Sequence, residues 1–384
     1  MTTLLLLIIY VAFISLGLPD AMLGAAWPVM QSELNLPLAG AGLISMIISG
    51  GTIFSSLFSG MLIRRLGTGR LTLISVLTTA LALLGYSFST NYLWLCLIAV
   101  PLGLGAGAVD AALNDFVARN FAARHMNWLH SFWGIGATNG PIIMAFMLNQ
   151  TGHWQMGYRT VAIVQVVLVA ILTISLPLWQ RYPTPASPQT ASDGGKIRKI
   201  KGIAPNLAAF FAYCAVEAST GLWAASFLVN ERGLSEVLAA GGASSYYLGI
   251  TIGRFLNGFL STKIAARSLV RGGEAMILLG IVLMFLPFPI LSLAGLMIIG
   301  LGCAPIYPTL LHETPRRFGT ENSARLMGLQ MATAYCGLTL IPPLLGLIVG
   351  RFGLRLYPIG LLLLALMLTF GTERLNRVLS EPNA

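Results

Sequence analysis

The chain has 384 residues, of which 56% are hydrophobic and only 9% charged, with a mean hydropathy of +0.80 and a formal net charge of +10. A water-soluble domain carries about 25% charged residues, so this composition excludes one and points to a chain that lives in a lipid bilayer. A basic excess of this size would imply an acidic partner in a soluble protein, but here the positions of the basic residues account for it and no nucleic-acid partner is expected.

Twelve apolar runs can be counted, at about 4–30, 38–63, 69–88, 92–118, 128–149, 159–180, 204–230, 239–262, 272–288, 290–311, 324–350 and 353–372. Each is close to the ~20 residues that cross a bilayer as a helix. The stretch between Glu274 and His312 is divided only by Pro287 and Pro289. Met1 to Tyr10 lacks a basic leader, so the first run is expected to remain as a span and not to be cleaved as a signal peptide. The even-numbered loops and the tail hold most of the basic residues, among them Arg64, Arg65, Arg70, Arg119, Lys199, Arg267 and Arg374, against Arg159, Arg232, Arg351 and Arg355 on the other side. That asymmetry predicts both termini in the cytoplasm. Cys96, Cys214, Cys303 and Cys336 all fall within spans and imply no disulfide framework.

In span one, GLPDAMLGAAWP sets Gly17, Asp20, Gly24 and Trp27 at helical spacing, while Pro19 and Pro28 weaken the helix. A buried carboxylate beside an indole suits a polyol, whose hydroxyls donate to the acid and whose C–H face stacks on the ring. The alternative reading leaves Asp20 bonded to a neighbouring helix and Trp27 as an interfacial anchor. Span two ends in GMLIRRLGTGR, a short basic turn holding Arg64 and Arg65.

Span four, GLGAGAVDAALNDF, places Asp110 and Asn114 four residues apart on the face of Gly103 and Gly107. An ionisable residue at that depth is costly unless it is paired or faces water, so a polar cavity is expected. The alternative is close helix packing at the glycines, with Asp110 and Asn114 bonding across the contact. In span five, His130 and Trp133 share a face, and a neutral imidazole there could bond a hydroxyl or relay a proton. The segment 181–203, RYPTPASPQTASDGGKIRKIKGI, reads as a flexible cytoplasmic linker.

Span seven carries Glu217 near its middle, with Trp223 turned away from it. Span eight carries Arg254, which needs a partner that Glu217 or Asp110 could supply. Tyr307 lies between Pro305 and Pro308 in span ten, and Gln330 and Tyr335 in span eleven complete the set of candidate ligand contacts.

An internal repeat ties the two parts of the chain together. Asp20 with Gly24 recurs as Glu217 with Gly221, and the segment from Gly103 aligns with that from Gly300 at the same offset of 197, setting Tyr307 opposite Asp110. Gly136 with Pro141 aligns with Gly337 and Pro342. The expected architecture is therefore an all-α membrane protein of twelve spans in two pseudo-symmetric six-helix halves, 1–180 and 204–384, with the ligand between them.

The glycine and arginine turn after span two, together with this repeat, resembles the major facilitator superfamily, although the acidic position of that family's loop is occupied by Arg64. Within it, GLGAGAVDAALNDF and NWLHSFWG are similar to the fucose permease-like group of sugar:proton symporters. The resemblance implies that the group's membrane carboxylate falls on Asp110, its amide on Asn114, and the glutamine of its next helix on His130. The group's acid is usually glutamate, so aspartate and histidine are both departures.

From these residues we expect a secondary transporter that moves a sugar or similar polyol with protons by alternating access. Asp110, Glu217 and Asp20 are the candidates for proton coupling. Asp20, Trp27, Asp110, Asn114, His130, Trp133, Glu217, Trp223, Tyr307, Gln330 and Tyr335 are the candidates for binding, and Arg64, Arg65 and Arg254 for gating or structure. A cell-membrane location, that of a bacterial inner membrane, and a monomer are expected. The alternatives are proton-driven efflux of a drug or metabolite, and a transporter-like sensor without flux. There is no nucleotide-binding loop, no HExxH and no GxGD at Asp110, so an ATP-driven pump, a zinc site, a cofactor and an intramembrane enzyme are not expected.

Overall fold

The computed structural model describes residues 2–121, 123–180, 182 and 201–380. Among these there is no strand. The helices are α1 (Thr2–Asp20), α2 (Met22–Glu33), α3 (Gly40–Leu66), α4 (Thr68–Tyr86), α5 (Tyr92–Asn120), α6 (Ala123–Thr151), α7 (Trp154–Trp179), α8 (Ile203–Arg232), α9 (Glu236–Leu260), α10 (Ala266–Phe285), α11 (Pro289–His312), α12 (Thr314–Phe318), α13 (Thr320–Phe352) and α14 (Tyr357–Ser380). With α1 and α2 forming one crossing and α12 a short connector, each of the twelve apolar runs meets a helix. Apart from Tyr182 and residues 201–203, the linker expected at 181–203 lies outside the described residues.

Eleven of the helical units are long and apolar enough to cross a membrane, so the chain is a multi-pass membrane protein. The remaining crossing, α9, has the length at 25 residues. Its apolar content is diluted by Ser244, Ser245, Tyr246, Tyr247, Thr251, Arg254 and Asn257. The weak boundary between spans nine and ten is real: α10 stops at Phe285 and α11 opens with Pro289 at its first position. Proline is favoured there because its missing N–H would have had no helical partner.

Span one is interrupted at Ala21, between α1 and α2. Pro19 has no N–H for the carbonyl of Ser15 one turn earlier, and lipid offers no substitute donor. Gln165 of α7 supplies it, donating Nε2 to the Ser15 carbonyl at 2.9 Å while its Oε1 accepts the Thr79 hydroxyl at 2.8 Å.

Within each half glycine sets a matching series of close contacts between parallel helices. A side chain at Gly103 of α5 would collide with the carbonyl of Ile48 in α3, and one at Gly300 of α11 with the carbonyl of Tyr246 in α9. Gly136 of α6 presses on the Ile14 carbonyl of α1 in the same way, as does Gly337 of α13 on the Phe211 carbonyl of α8. Small residues permit this backbone approach where packing, and not water exclusion, holds helices together. The contacted residues repeat at nearly the offset of the glycines, so the sequence repeat is also a repeat of packing.

Candidate functional site

The two halves meet along α2–α8, α2–α9, α3–α13 and α6–α9. On the face opposite the termini the seam is tight. Gly24 of α2 lies against the backbone of Gly221 and Leu222, Gly42 of α3 against Pro343, and Leu38 and Ala39 against Gly350. The α6–α9 contact continues inward from Ala145 and Gly241 to Gly134 beside Thr251, where the Thr138 and Thr251 hydroxyls are 3.3 Å apart. Farther in, Asp20 and His130 are exposed to solvent although they sit midway along span one and toward the inner end of span five. The arrangement is closed on that outer side of the seam, and Asp20 and His130 stay accessible beneath it.

A chain of contacts crosses the seam in this layer. The Trp133 indole N–H donates to Asp20 Oδ2 at 2.7 Å. The Arg254 guanidinium of the other half lies over the same indole, 5.0 Å from the ring centroid. Arg254 Nη2 is in turn 3.5 Å from Glu217 Oε1, with the two side chains 19% and 21% exposed. Both partners are thus mostly withdrawn from water, and neither is buried so deeply that a solute could not reach it. The Tyr246 hydroxyl donates to the Glu217 backbone carbonyl at 3.1 Å and leaves that carboxylate free for Arg254 or a ligand.

Asp110 stands beside this chain. Asn114 Nδ2 donates to Asp110 Oδ1 at 2.9 Å and to its backbone carbonyl at 3.0 Å, so the acid and amide expected on one face form one unit. Asp110 is within electrostatic range of Asp20 in its own half, and of Tyr307 and Tyr335 in the other. Tyr307 is backed by Phe210 and Tyr213, at ring separations of 5.4 and 5.8 Å. His130 packs edge-on against Phe13 at 5.9 Å and lies within range of Arg254. The layer therefore gathers Asp20, Asp110, Asn114, His130, Trp133, Glu217, Arg254, Tyr307 and Tyr335.

Three of the expected binding residues lie elsewhere, which corrects the reading of those side chains. Trp27 is fully buried, with its N–H on the Leu38 carbonyl at 3.0 Å, and pins α2 to the start of α3. Trp223 is also fully buried, bonded to the Pro342 carbonyl at 3.0 Å. Gln330 is 1% exposed and joins Asn206 at 2.7 Å and the Thr314 hydroxyl at 3.1 Å. These are satisfied structural groups with no polar atom left toward the cavity. Trp133 lies in the layer, with one ring face covered by Arg254. Arg64 and Arg65 are exposed at the end of α3 and have no acidic partner among the described residues.

Tyr213 was not among the expected residues. It lies one turn before Glu217, is 1% exposed, and its hydroxyl has no hydrogen-bond partner among the described residues. The i, i+4 relation to Glu217 was the available signal.

Comparison with known proteins agrees with this fold. The family profile described as Major Facilitator Superfamily matches residues 9–242 and 205–382. The chain is similar to the glucose/mannose transporter GlcP of Bacillus subtilis (strain 168), 26% identical over 79% of this chain and 77% of that protein. It is also similar to the hexuronate transporter of the same organism, 25% identical over 70% of this chain and 66% of that one. Among solved structures, the nucleoside transporter NupG superposes with a TM-score of 0.76 at 14% identity, covering 97% of this chain and 99% of that chain. A bacterial homologue of the human lysosomal transporter Spinster, solved inward-facing, gives 0.71 at 13% identity, covering 98% of this chain and 96% of that one. With two pseudo-symmetric six-helix halves and a profile match over nearly its whole length, the chain is a secondary transporter, not an enzyme, and belongs to the major facilitator superfamily.

Proposed function

We propose that this transporter imports a neutral sugar or similar polyol together with protons, across a bacterial inner membrane, with both termini in the cytoplasm. The observation that carries the proposal is the gathering of Asp20, Asp110 and Glu217 from both halves in one accessible layer, with Arg254 beside Glu217 and over the Trp133 indole that bonds Asp20. Arg254 compensates one of these carboxylates. The remaining negative charge opposes passage of the layer through an occluded, water-poor state, and protonation removes that opposition. Hydroxyls both donate and accept, so a polyol can serve the carboxylates, the Asn114 amide and the tyrosines at once. The similarity to a glucose/mannose transporter supports a sugar, and the excess of basic residues in the even-numbered loops supports the orientation.

The test is sugar counterflow and uphill uptake in proteoliposomes. Asp110→Asn is expected to retain exchange down a gradient while losing accumulation driven by a pH gradient. A variant that accumulates substrate as well as the parent refutes the coupling role of Asp110. A broad sugar panel without counterflow, beside transport of lipophilic cations, replaces import of a polyol with efflux. Absence of flux for either class identifies a sensor.

A further inference from the structure

A groove of about 520 Å³ opens on the face opposite the termini, outside the closed seam and separate from the polar layer. Its volume falls within the range of small-molecule sites, about 300–1,000 Å³. Gln31, Ser32 and Asn35 line it from the end of α2 and the following turn, and Asn230 and Glu236 from α8 and α9. The side chains of Gln31, Ser32, Asn35 and Glu236 have no hydrogen-bond or ion-pair partner among the described residues. Asn230 spends its Nδ2 on the Ser226 carbonyl at 2.8 Å, which leaves its side-chain oxygen to accept. Asn35 is held with φ at 51°, a left-handed conformation that asparagine tolerates better than most residues.

We infer that this groove is a second binding site, for a neutral polyol taken from the outer solution. Two primary amides and a hydroxyl that both donate and accept, beside acceptor-only oxygens from Asn230 and Glu236, match the mixed donors and acceptors of sugar hydroxyls. Glu236 is the charged group in the lining and disfavours an anion. The walls come from both halves, so they part when the outer seam opens. An occupant touching both walls binds the closed arrangement better and shifts the population toward it. The site thus reports outside solute to the gate, a role that rests on the sugar reading of the central layer, whereas the binding itself does not.

The experiment is saturation-transfer NMR on the purified full chain with D-glucose and sucrose as probes. Three proteins are compared: the parent, a central variant carrying Asp110→Asn and Glu217→Gln, and a groove variant carrying Gln31→Ala and Asn230→Ala, with folding checked by thermal shift. The central variant is expected to keep binding at least one probe, and the groove variant to weaken that component about three- to tenfold, the scale of losing one or two neutral hydrogen bonds. Loss of all sugar binding in the central variant overturns the groove while leaving the central reading intact. Binding that the groove variant does not alter, or no binding of either probe to the parent, also overturns it. If the groove component persists while central substitutions leave transport unchanged, the groove stands and the central reading falls.

Discussion

Trp133 is the joint of the chain that crosses the seam, and substituting it separates two effects. Trp133→Phe deletes the N–H that reaches Asp20 at 2.7 Å but keeps a ring beneath Arg254. Losing a hydrogen bond to a charged acceptor costs about 1.5–3 kcal/mol. Trp133→Ala also removes the cation–π contact at 5.0 Å, adding about 0.5–2 kcal/mol for a partly desolvated pair. Because that contact joins the halves in the closed arrangement, its loss shifts the ratio of closed to open outer seams, about tenfold for each 1.4 kcal/mol. Leu38 and Gly350 face each other on that seam, with a side chain at Gly350 falling 3.8 Å from Leu38 Cβ. Cysteines at these two positions, in a background lacking the four native ones, report the closed fraction by their rate of disulfide cross-linking, the 3.8 Å separation being within disulfide range. Trp133→Phe is expected to slow cross-linking less than Trp133→Ala. In a double-mutant cycle, Trp133→Ala and Arg254→Gln are expected to couple by about 0.5–2 kcal/mol. Strict additivity of the two, or a phenylalanine variant as severe as the alanine one, refutes the bridge.

Three further outcomes test the remaining geometry. Glu217→Gln is expected to weaken sugar affinity about tenfold, since a carboxylate facing hydroxyls loses charge-assisted strength on becoming an amide, as titration calorimetry would show. Unchanged affinity with lowered stability instead makes Glu217 only the partner of Arg254. Gly136→Val and Gly337→Val each drive a side chain into a facing carbonyl, that of Ile14 or of Phe211, and both are expected to lower the melting temperature in detergent. Tolerance at either position contradicts the equivalence of the two contacts. Gln165→Leu strands the Ser15 carbonyl, while the Thr79 hydroxyl keeps the Val76 carbonyl at 3.0 Å, and is expected to cost about 1–3 kcal/mol of stability, so a variant as stable as the parent excludes this account of the proline break.

The helical crossings were legible because lipid forces every backbone group into internal pairing, so apolar length alone marks a span. The repeat was legible because glycines that admit a neighbouring backbone cannot be exchanged for larger residues: Gly103 with Gly300, and Gly136 with Gly337, sit in matching contacts. Helical spacing served less well for side chains. It placed Trp27 on the face of Asp20, but that register holds only if the helix is continuous, and the interruption at Ala21 lies between them. Trp223 and Gln330 show a second limit, since an azimuth on one helix does not say which neighbour covers it; Pro342 covers one, and Asn206 with Thr314 the other. For the same reason the partner of Arg254 stayed open between Glu217 and Asp110 until the packing of α8 on α9 brought Glu217 within 3.5 Å.

The interruption at Ala21 also bears on how the work of the cycle is divided. α1 packs on α4, α5, α6 and α7 of its own half, whereas α2 packs on α3, α6 and α7 of that half and also reaches across to α8 and α9. When the outer seam parts, α2 leaves α8 and α9 but stays tied to its own half through Trp27 on the Leu38 carbonyl and Glu33 on the Trp154 indole, and the break from Pro19 to Ala21 is where it can tilt relative to α1. The equivalent crossing, α8, runs unbroken from Ile203 to Arg232 and carries Glu217 inside one continuous helix. Two acids that are equivalent by repeat are therefore mechanically unequal: Glu217 travels with its helix, while Asp20 rides on an elbow, where a change in its bond to Trp133 is also a change in the stiffness of the elbow.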